Sequence, residues 1–133
     1  MKVLYIDDTP SIPTMHQWSE WAGLRVEWHF AVTPEEGLAK LAQDDIGLVL
    51  MDGHLITTTG DKVVEEIRAR GNKTPICMFS ADEAMNIRGK SAGAEFSVDK
   101  KQFAEEYMDR FADKRFPEME KLAIAIQYAL LMS

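Results

Sequence analysis

Three aspartates directly follow apolar runs of the sequence. Asp52 follows Leu48–Met51, and the pair Asp7–Asp8 follows Val3–Ile6. Short apolar runs that end on acidic residues are typical of parallel strands that deliver carboxylates to one edge of a sheet. Carboxylates gathered there repel one another, and a divalent cation that prefers oxygen ligands, such as Mg²⁺, would relieve the repulsion. One of the carboxylates could then act as a nucleophile toward phosphorus.

Two further strand ends carry polar residues that suit the same chemistry. Ser80 follows an apolar run that ends at Phe79, and Lys100 follows another that ends at Val98. Ser80 would donate a hydrogen bond to a phosphoryl oxygen, and Lys100 would offer a compact positive charge to the developing phosphate. Lys101 stands beside Lys100 and could fill the same role, but the spacing favours Lys100.

Each aspartate has an expected task in such a site. Asp8 and Asp52 would ligate Mg²⁺ directly, whereas Asp7 would act through water, because Mg²⁺ keeps several of its water ligands. Asp52 would be the residue that attacks the phosphoryl group. The sequence therefore predicts an acceptor, a metal site and a charge clamp at one sheet edge.

The elements that must position these residues alternate along the chain. Between the apolar runs lie longer stretches with helical spacing and cap signals, such as Thr33–Glu36, a capping box with proline at the first helical position. This alternation predicts an α/β sheet with helices on both faces. The predicted strands are Lys2–Ile6, Leu24–Phe30, Gly47–Met51, Pro75–Phe79 and Glu95–Val98.

The C-terminal third is longer than one final helix requires. Phe103, Tyr107 and Phe111 recur every four residues and predict a helix with an aromatic stripe within residues 102–115. Pro117 then opens a final helix over residues 117–132, with Leu122, Ile126 and Leu130 expected on one side. We expect residues 1–133 to form a single domain.

Composition excludes several classes of function. The 133 residues are 46% hydrophobic and 28% charged, which is typical of a folded globular protein. The net charge of −7 argues against binding to nucleic acid or to an anionic membrane. The single cysteine allows no internal disulfide, and no signal peptide or membrane-spanning run is present, so we expect a cytoplasmic protein.

The order of these motifs resembles the receiver domain of two-component response regulators (the CheY-like family). The resemblance is carried by Asp7–Asp8, Asp52, Ser80–Ala81 and Lys100, together with Gly60 eight residues after the acceptor. It covers residues 1 to about 101, and it resumes at Phe116–Glu118, where the last helix of the family ordinarily begins. Residues 102–115 would then be an insertion between the last strand and the last helix.

The resemblance implies both a fold and a function. The fold would be flavodoxin-like and doubly wound, with five parallel strands in the order 2-1-3-4-5. A histidine kinase or phosphotransfer protein would pass a phosphoryl group to Asp52 in the presence of Mg²⁺, which the backbone carbonyl of His54 would also ligate. Phosphorylation would shift the domain between two conformations and alter the surface offered to a downstream protein, with a homodimer left open. Such a chain is a phosphoacceptor that assists its own reactions rather than an enzyme.

Three positions depart from the usual receiver pattern. Lys101 replaces the proline that usually follows the lysine, Ile56 replaces a proline four residues after the acceptor, and Ser97 replaces an aromatic switch residue. Phe96 is adjacent to Ser97, but alternation along a strand points it to the opposite face. The residues expected to modulate the site are Ala81, Asp82 and Ser97.

Other functions remain open at this point. A haloacid-dehalogenase-like phosphatase also uses an aspartate nucleophile after its first strand, but it needs a second aspartate where this chain has Thr9. The departures at Ser97 and Lys101 motivate a receiver-like interaction module that works without phosphorylation. The chain could also be the N-terminal receiver of a longer regulator.

Overall fold

Strands and helices alternate through the computed structural model, which describes all of residues 1–133. The five strands are β1 (Lys2–Ile6), β2 (Glu27–Ala31), β3 (Ile46–Met51), β4 (Ile76–Ser80) and β5 (Phe96–Asp99). The six helices are α1 (Ile12–Trp21), α2 (Pro34–Gln43), α3 (Gly60–Ala69), α4 (Glu83–Ala92), α5 (Lys100–Met108) and α6 (Pro117–Met132). None of these helices is long and apolar enough to cross a membrane.

All five strands pair in parallel in the order β2-β1-β3-β4-β5. The predicted α/β class and strand order are therefore confirmed. The second strand begins three residues later than predicted, at Glu27. Since every crossover runs through a helix, the carboxyl ends of the strands lie at one edge, where the polar residues follow them.

Alternating side chains of each strand enter two separate cores. Val3 and Tyr5 of β1 face the core covered by α1, α5 and α6. Leu4 and Ile6, their neighbours, face the core covered by α2 and α3. Successive side chains of a strand point to opposite faces, and helices cover both faces, so both must be apolar. This explains why the strands are nearly continuous runs of hydrophobic residues.

Helix α5 is the extra helix between the last strand and the last helix, as predicted. It begins directly after β5, where the side chain of Asp99 accepts a hydrogen bond from the backbone N–H of Gln102 at 3.1 Å. Phe103 and Tyr107 are buried, and the Tyr107 hydroxyl donates to Gln17 of α1 at 2.9 Å. The helix therefore packs against its own domain.

The end of α5 and the last turn of α6 differ from the predicted stripes. The helix ends at Met108, so the predicted span of 102–115 is too long and Phe111 lies beyond it, 80% exposed. The guanidinium of Arg110 lies over the rings of Tyr107 and Phe111. In α6, Leu122 and Ile126 are buried as predicted, whereas Leu130 is 57% exposed because the buried face continues through Ala129, three residues after Ile126.

A buried glutamate determines where the chain turns back. The carboxylate of Glu106, in the last turns of α5, accepts hydrogen bonds from the backbone N–H groups of Glu118 and Met119 at 3.0 Å each. It thus caps the first turn of α6 from another helix. The Glu118 carboxylate in turn accepts from the backbone N–H of Asp99 at 2.7 Å. These two contacts hold the start of α6 beside α5, so α5 cannot continue to residue 115.

Replacing Glu106 with alanine is expected to lower the free energy of unfolding by about 2–3 kcal/mol, because charged hydrogen bonds to buried backbone donors are lost. Denaturant unfolding of the variant measures the loss. Glu105→Ala, which changes the exposed neighbouring residue, is the matched control and should cost little. Equal stability of the two variants would contradict a capping role for Glu106.

Candidate functional site

The carboxyl ends of β1 and β3 bring the three aspartates together. The backbone N–H of Asp52 donates to the carbonyl of Ile6 at 3.0 Å, so the ladder continues one residue past β3 and sets Asp52 beside Asp7. Carboxylate oxygens of Asp7, Asp8 and Asp52 all lie within 4.8 Å of one another. Oxygen ligands at this separation suit a hard divalent cation.

Asp52 lies in a shielded position within this cluster. The residue is only 8% exposed, and the nearby backbone N–H groups of Gly53 and His54 favour the ionised form of its carboxylate. Burial raises the pKa of Asp52 to about 6, outweighing the opposing attraction of Lys100, and the charge of Asp7 adds to the rise. A cation bound beside this carboxylate would favour its ionised form and lower its pKa.

Asp7 is fully buried and receives three hydrogen bonds. Its Oδ2 accepts from the Tyr5 hydroxyl at 2.5 Å and from Lys100 Nζ at 2.6 Å, while Oδ1 accepts from the backbone N–H of Thr9 at 2.8 Å. Burial opposes ionisation, but the hydrogen bonds from Lys100, Tyr5 and Thr9 together hold the pKa of Asp7 below its ordinary value. Asp7 is therefore a carboxylate whose orientation is set by donors on three sides.

Lys100, and not Lys101, reaches the acidic cluster. Its Nζ lies 2.6 Å from Asp7 Oδ2 and 3.8 Å from Asp52 Oδ1. Lys101, the next residue in the first turn of α5, is exposed. Of the two lysines, the structure therefore brings only Lys100 to the aspartates.

Ser80 ends β4 next to the loop that follows Asp52. It is 2% exposed, and its Oγ accepts a hydrogen bond from the backbone N–H of Asp82 at 3.1 Å. A Cβ placed on Gly53 would collide with Ser80 Oγ, so the close approach of β4 to this loop requires glycine. Behind it, the side-chain amide of Asn86 donates to the carbonyls of Ser80 and Val98 at 3.0 and 3.2 Å.

His54 has a backbone carbonyl without a hydrogen-bond partner and an imidazole that contacts Asp82 at the start of α4. Its carbonyl oxygen accepts none of the hydrogen bonds of the fold, which leaves it available as the predicted metal ligand. The imidazole Nε2 lies 2.8 Å from Asp82 Oδ2, and both side chains are largely exposed. The hydrogen bond with His54 lowers the pKa of Asp82, which also caps α4 by accepting from the N–H of Ala84.

Gly60 explains why helix α3 can start so close to Asp52. Its N–H donates to the carbonyl of Gly53 at 2.9 Å, and a Cβ at this position would collide with the backbone carbonyl of Asp52. The glycine eight residues after Asp52 is thus a steric requirement of the loop.

Ala81 and Ser97, two of the predicted modulators, lie outside the acidic cluster. Ala81 is exposed at the rim, directly after Ser80. Ser97 lines a groove of about 330 Å³ between α4, β5 and the last two helices, together with Asn86, Asp99 and Glu118. Phe96 points to the other face and packs on Tyr128 at 5.1 Å between ring centroids, as alternation predicts.

Sequence reasoning missed Tyr5 and Asn86 as parts of the site. The signal for Tyr5 was available, since residues two apart on a strand share a face and Asp7 follows Tyr5 at that spacing. No local pattern could have found Asn86, whose partners Ser80 and Val98 lie on two different strands.

The raised pKa of Asp52 predicts a pH dependence of stability. Since the folded state binds this proton more tightly than the unfolded chain, stability should fall as pH rises from about 4 to about 6. The difference in unfolding free energy between Asp52→Asn and the unmodified protein, both without Mg²⁺, should change by on the order of 2 kcal/mol across this range. Denaturant unfolding at a series of pH values measures it. A difference that does not vary with pH would contradict the raised pKa.

Comparison with known proteins places this geometry among signalling domains. The family model described as the response regulator receiver domain matches residues 3–112. A Haloferax volcanii protein described as a putative transcriptional regulator is 35% identical over 82 residues, which are 61% of this chain and 14% of that protein. The chain thus spans about one seventh of that relative's length.

Solved structures of the same fold cover nearly the whole chain. A response regulator receiver domain from Francisella superposes with a TM-score of 0.71 at 18% identity, covering 98% of this chain and 97% of the other. The receiver domain protein from Clostridium thermocellum gives 0.72 at 21% identity, covering 98% and 94%. The chemotaxis response regulator CheY4 of Vibrio cholerae gives 0.64 at 27% identity, covering 82% and 93%.

Proposed function

Because the chain belongs to the response regulator receiver family, we propose that it accepts a phosphoryl group on Asp52 and signals through a changed protein-binding surface. The donor would be the phosphohistidine of a histidine kinase or a phosphotransfer protein. The observation that carries the proposal is the cluster of Asp7, Asp8 and Asp52 with Lys100 Nζ lying between Asp7 and Asp52. Acceptor, cation ligands and charge clamp are all in this one place.

The donor set fits Mg²⁺. Asp8 and Asp52 would provide carboxylate oxygens and His54 its free carbonyl, while Asp7 would hold a metal-bound water. When bound, Mg²⁺ would supply positive charge at the phosphoryl oxygens and neutralise the acidic cluster. Burial is the main cause of the raised pKa of Asp52 and the charge of Asp7 adds to it, so a bound cation would favour the ionised form of this carboxylate.

The reaction follows from the positions of the side chains. An oxygen of Asp52 attacks phosphorus, and a P–O bond forms as the P–N bond to the donor histidine breaks. Lys100 moves from Asp7 and Asp52 toward the incoming phosphoryl oxygens and stabilises their charge. Ser80 donates its hydroxyl hydrogen to a phosphoryl oxygen, while its Oγ already accepts from the N–H of Asp82.

The output surface would lie over α4 and β5. Asn86 of α4 binds the carbonyls of Ser80 and Val98, so a movement of Ser80 toward a phosphoryl group would be transmitted to both elements. The groove that Ser97 lines begins at Asn86 and is rich in polar residues. A downstream protein that reads phosphorylation would dock against this groove.

Incubation with acetyl phosphate tests the proposal directly. Intact mass spectrometry should show the addition of one phosphoryl group when Mg²⁺ is present and none when a chelator is added. The adduct should be released by hydroxylamine, because an aspartyl phosphate is an acyl phosphate. Mg²⁺ binding without any adduct would contradict phosphoacceptance.

A module that works without phosphorylation is the second candidate. Ser97 favours it, because a small side chain replaces the aromatic residue that usually moves with the hydroxyl at the Ser80 position. Beryllofluoride, which mimics the phosphoryl group, distinguishes the two. If beryllofluoride binds the site but changes neither the NMR signals of the backbone amides in α4 and β5 nor the oligomeric state, the second candidate is favoured.

A further inference from the structure

Tyr5 is a buried polar group beside the acidic cluster to which the proposed chemistry gives no role. It is 1% exposed and lies on the same face of β1 as Asp7. Its hydroxyl has Asp7 Oδ2 as a partner at 2.5 Å, the shortest of the three hydrogen bonds to that carboxylate. A short O–H···O⁻ bond of this kind is charge-assisted and strong.

The three donors to Asp7 differ in how firmly they are held. Lys100 has a long, partly exposed side chain that must move during phosphoryl transfer. Thr9 lies in an exposed loop after β1. The Tyr5 ring, by contrast, packs against Phe30 and edge-on against Phe79, with centroid distances of 6.1 and 5.6 Å. Tyr5 is therefore the rigid donor of the set.

The arrangement also determines what Asp7 can still do. Both Tyr5 and Lys100 donate to Oδ2, and the backbone N–H of Thr9 donates to Oδ1. An oxygen with two strong donors is poorly placed to enter the direct coordination sphere of a cation, which suits the water-mediated role. Partners in the outer shell of this kind commonly set the affinity of a metal site.

We propose that Tyr5 is a positioning residue that holds the Asp7 carboxylate in its outer-shell orientation and thereby sets the affinity of the acidic cluster for Mg²⁺. This inference rests on the proposed function, since it takes the cluster to be a Mg²⁺ site. The effect is exerted through Asp7, because the Tyr5 hydroxyl donates its one hydrogen to that carboxylate and has none left for Asp8 or Asp52.

Tyr5→Phe removes only the hydroxyl and keeps the ring in its packing. Calorimetric titration of the unphosphorylated protein with Mg²⁺ alone should show affinity weakened by about tenfold, within the range of outer-shell substitutions. Tyr107→Phe is the matched control, because it removes another largely buried hydroxyl from the same core, the donor to Gln17. It should leave the Mg²⁺ affinity unchanged. An unchanged or tighter affinity in Tyr5→Phe would overturn the proposal.

A double-mutant cycle separates positioning from a general loss of stability. If Tyr5 acts through Asp7, adding Tyr5→Phe to Asp7→Ala should weaken Mg²⁺ binding no further, whereas a full additional loss would overturn the proposal. The thermal melt of each variant without Mg²⁺ shows that the chain is folded before titration. An unmodified protein that binds no Mg²⁺ would instead contradict the proposed function, so the two failures are distinguishable.

Discussion

Asp52→Asn is expected to abolish formation of the phosphoryl adduct with acetyl phosphate and Mg²⁺. The amide is a far weaker nucleophile than the carboxylate, and Asp7, the other aspartate near Lys100, is fully buried with both oxygens already accepting hydrogen bonds. The fold should be retained, because asparagine has nearly the same size and shape as the buried aspartate and carries no charge that needs solvation. Intact mass spectrometry on both proteins measures the difference.

The same variant should respond differently to the metal. Mg²⁺ should raise the melting temperature of the unmodified protein, because it binds only the folded state, and should raise that of Asp52→Asn much less. Asp45→Asn, in the exposed loop before β3, is the matched control and should behave like the unmodified protein. An acid-stable adduct that persists on Asp52→Asn would show that another residue is the acceptor.

Lys100→Met is expected to slow phosphorylation by about 100-fold, the usual cost of removing one group that stabilises developing charge. Methionine keeps much of the apolar length of the side chain and removes the ammonium. The rate of adduct formation at saturating Mg²⁺, followed by intact mass, measures the effect. We expect the slower phosphorylation only from a change at this position, since Lys100 Nζ is the only cation within 4 Å of Asp7 and Asp52.

The variant should also be less stable without Mg²⁺ at neutral pH. Loss of the ammonium leaves the fully buried Asp7 with only Tyr5 and the Thr9 N–H as donors, at a cost of about 2 kcal/mol. Lys101→Met is the matched control, because it removes the adjacent, exposed lysine and should change neither property. If Lys101→Met were the slower of the two, the assignment of the clamp would have to move to Lys101.

The structure shows where Lys101 and the inserted helix, two departures from the usual receiver pattern, lie. Lys101 lies in the first turn of α5, which starts directly after β5 with Asp99 as its cap. The inserted helix α5 is held against the domain by the buried Phe103 and Tyr107. Its Glu106 also accepts a hydrogen bond from the first turn of α6. Its apolar face is therefore used within the domain, and the predicted aromatic stripe is not a free docking surface apart from the exposed Phe111.

The elements and the acidic cluster were largely predictable from local patterns. Short apolar runs predicted the strands, and caps such as Thr33, whose hydroxyl accepts from the N–H of Glu36 at 3.1 Å, predicted helix starts. Asp7, Asp8 and Asp52 follow strands that must be parallel if helices separate them, so their meeting at one edge follows from topology.

Contacts between residues far apart in the sequence could not be predicted from local patterns. Lys100 and Asp7 are 93 positions apart, and the choice between Lys100 and Lys101 depends on where β5 ends relative to β1. The early end of α5 depends on Glu106 meeting the first turn of α6, which the four-residue spacing of Phe103, Tyr107 and Phe111 does not contain. Local periodicity specifies which face of an element is apolar. Hydrogen bonds and ion pairs between elements depend on how those faces pack, and this is where the orientation of Asp7 by Tyr5 and Lys100 arises.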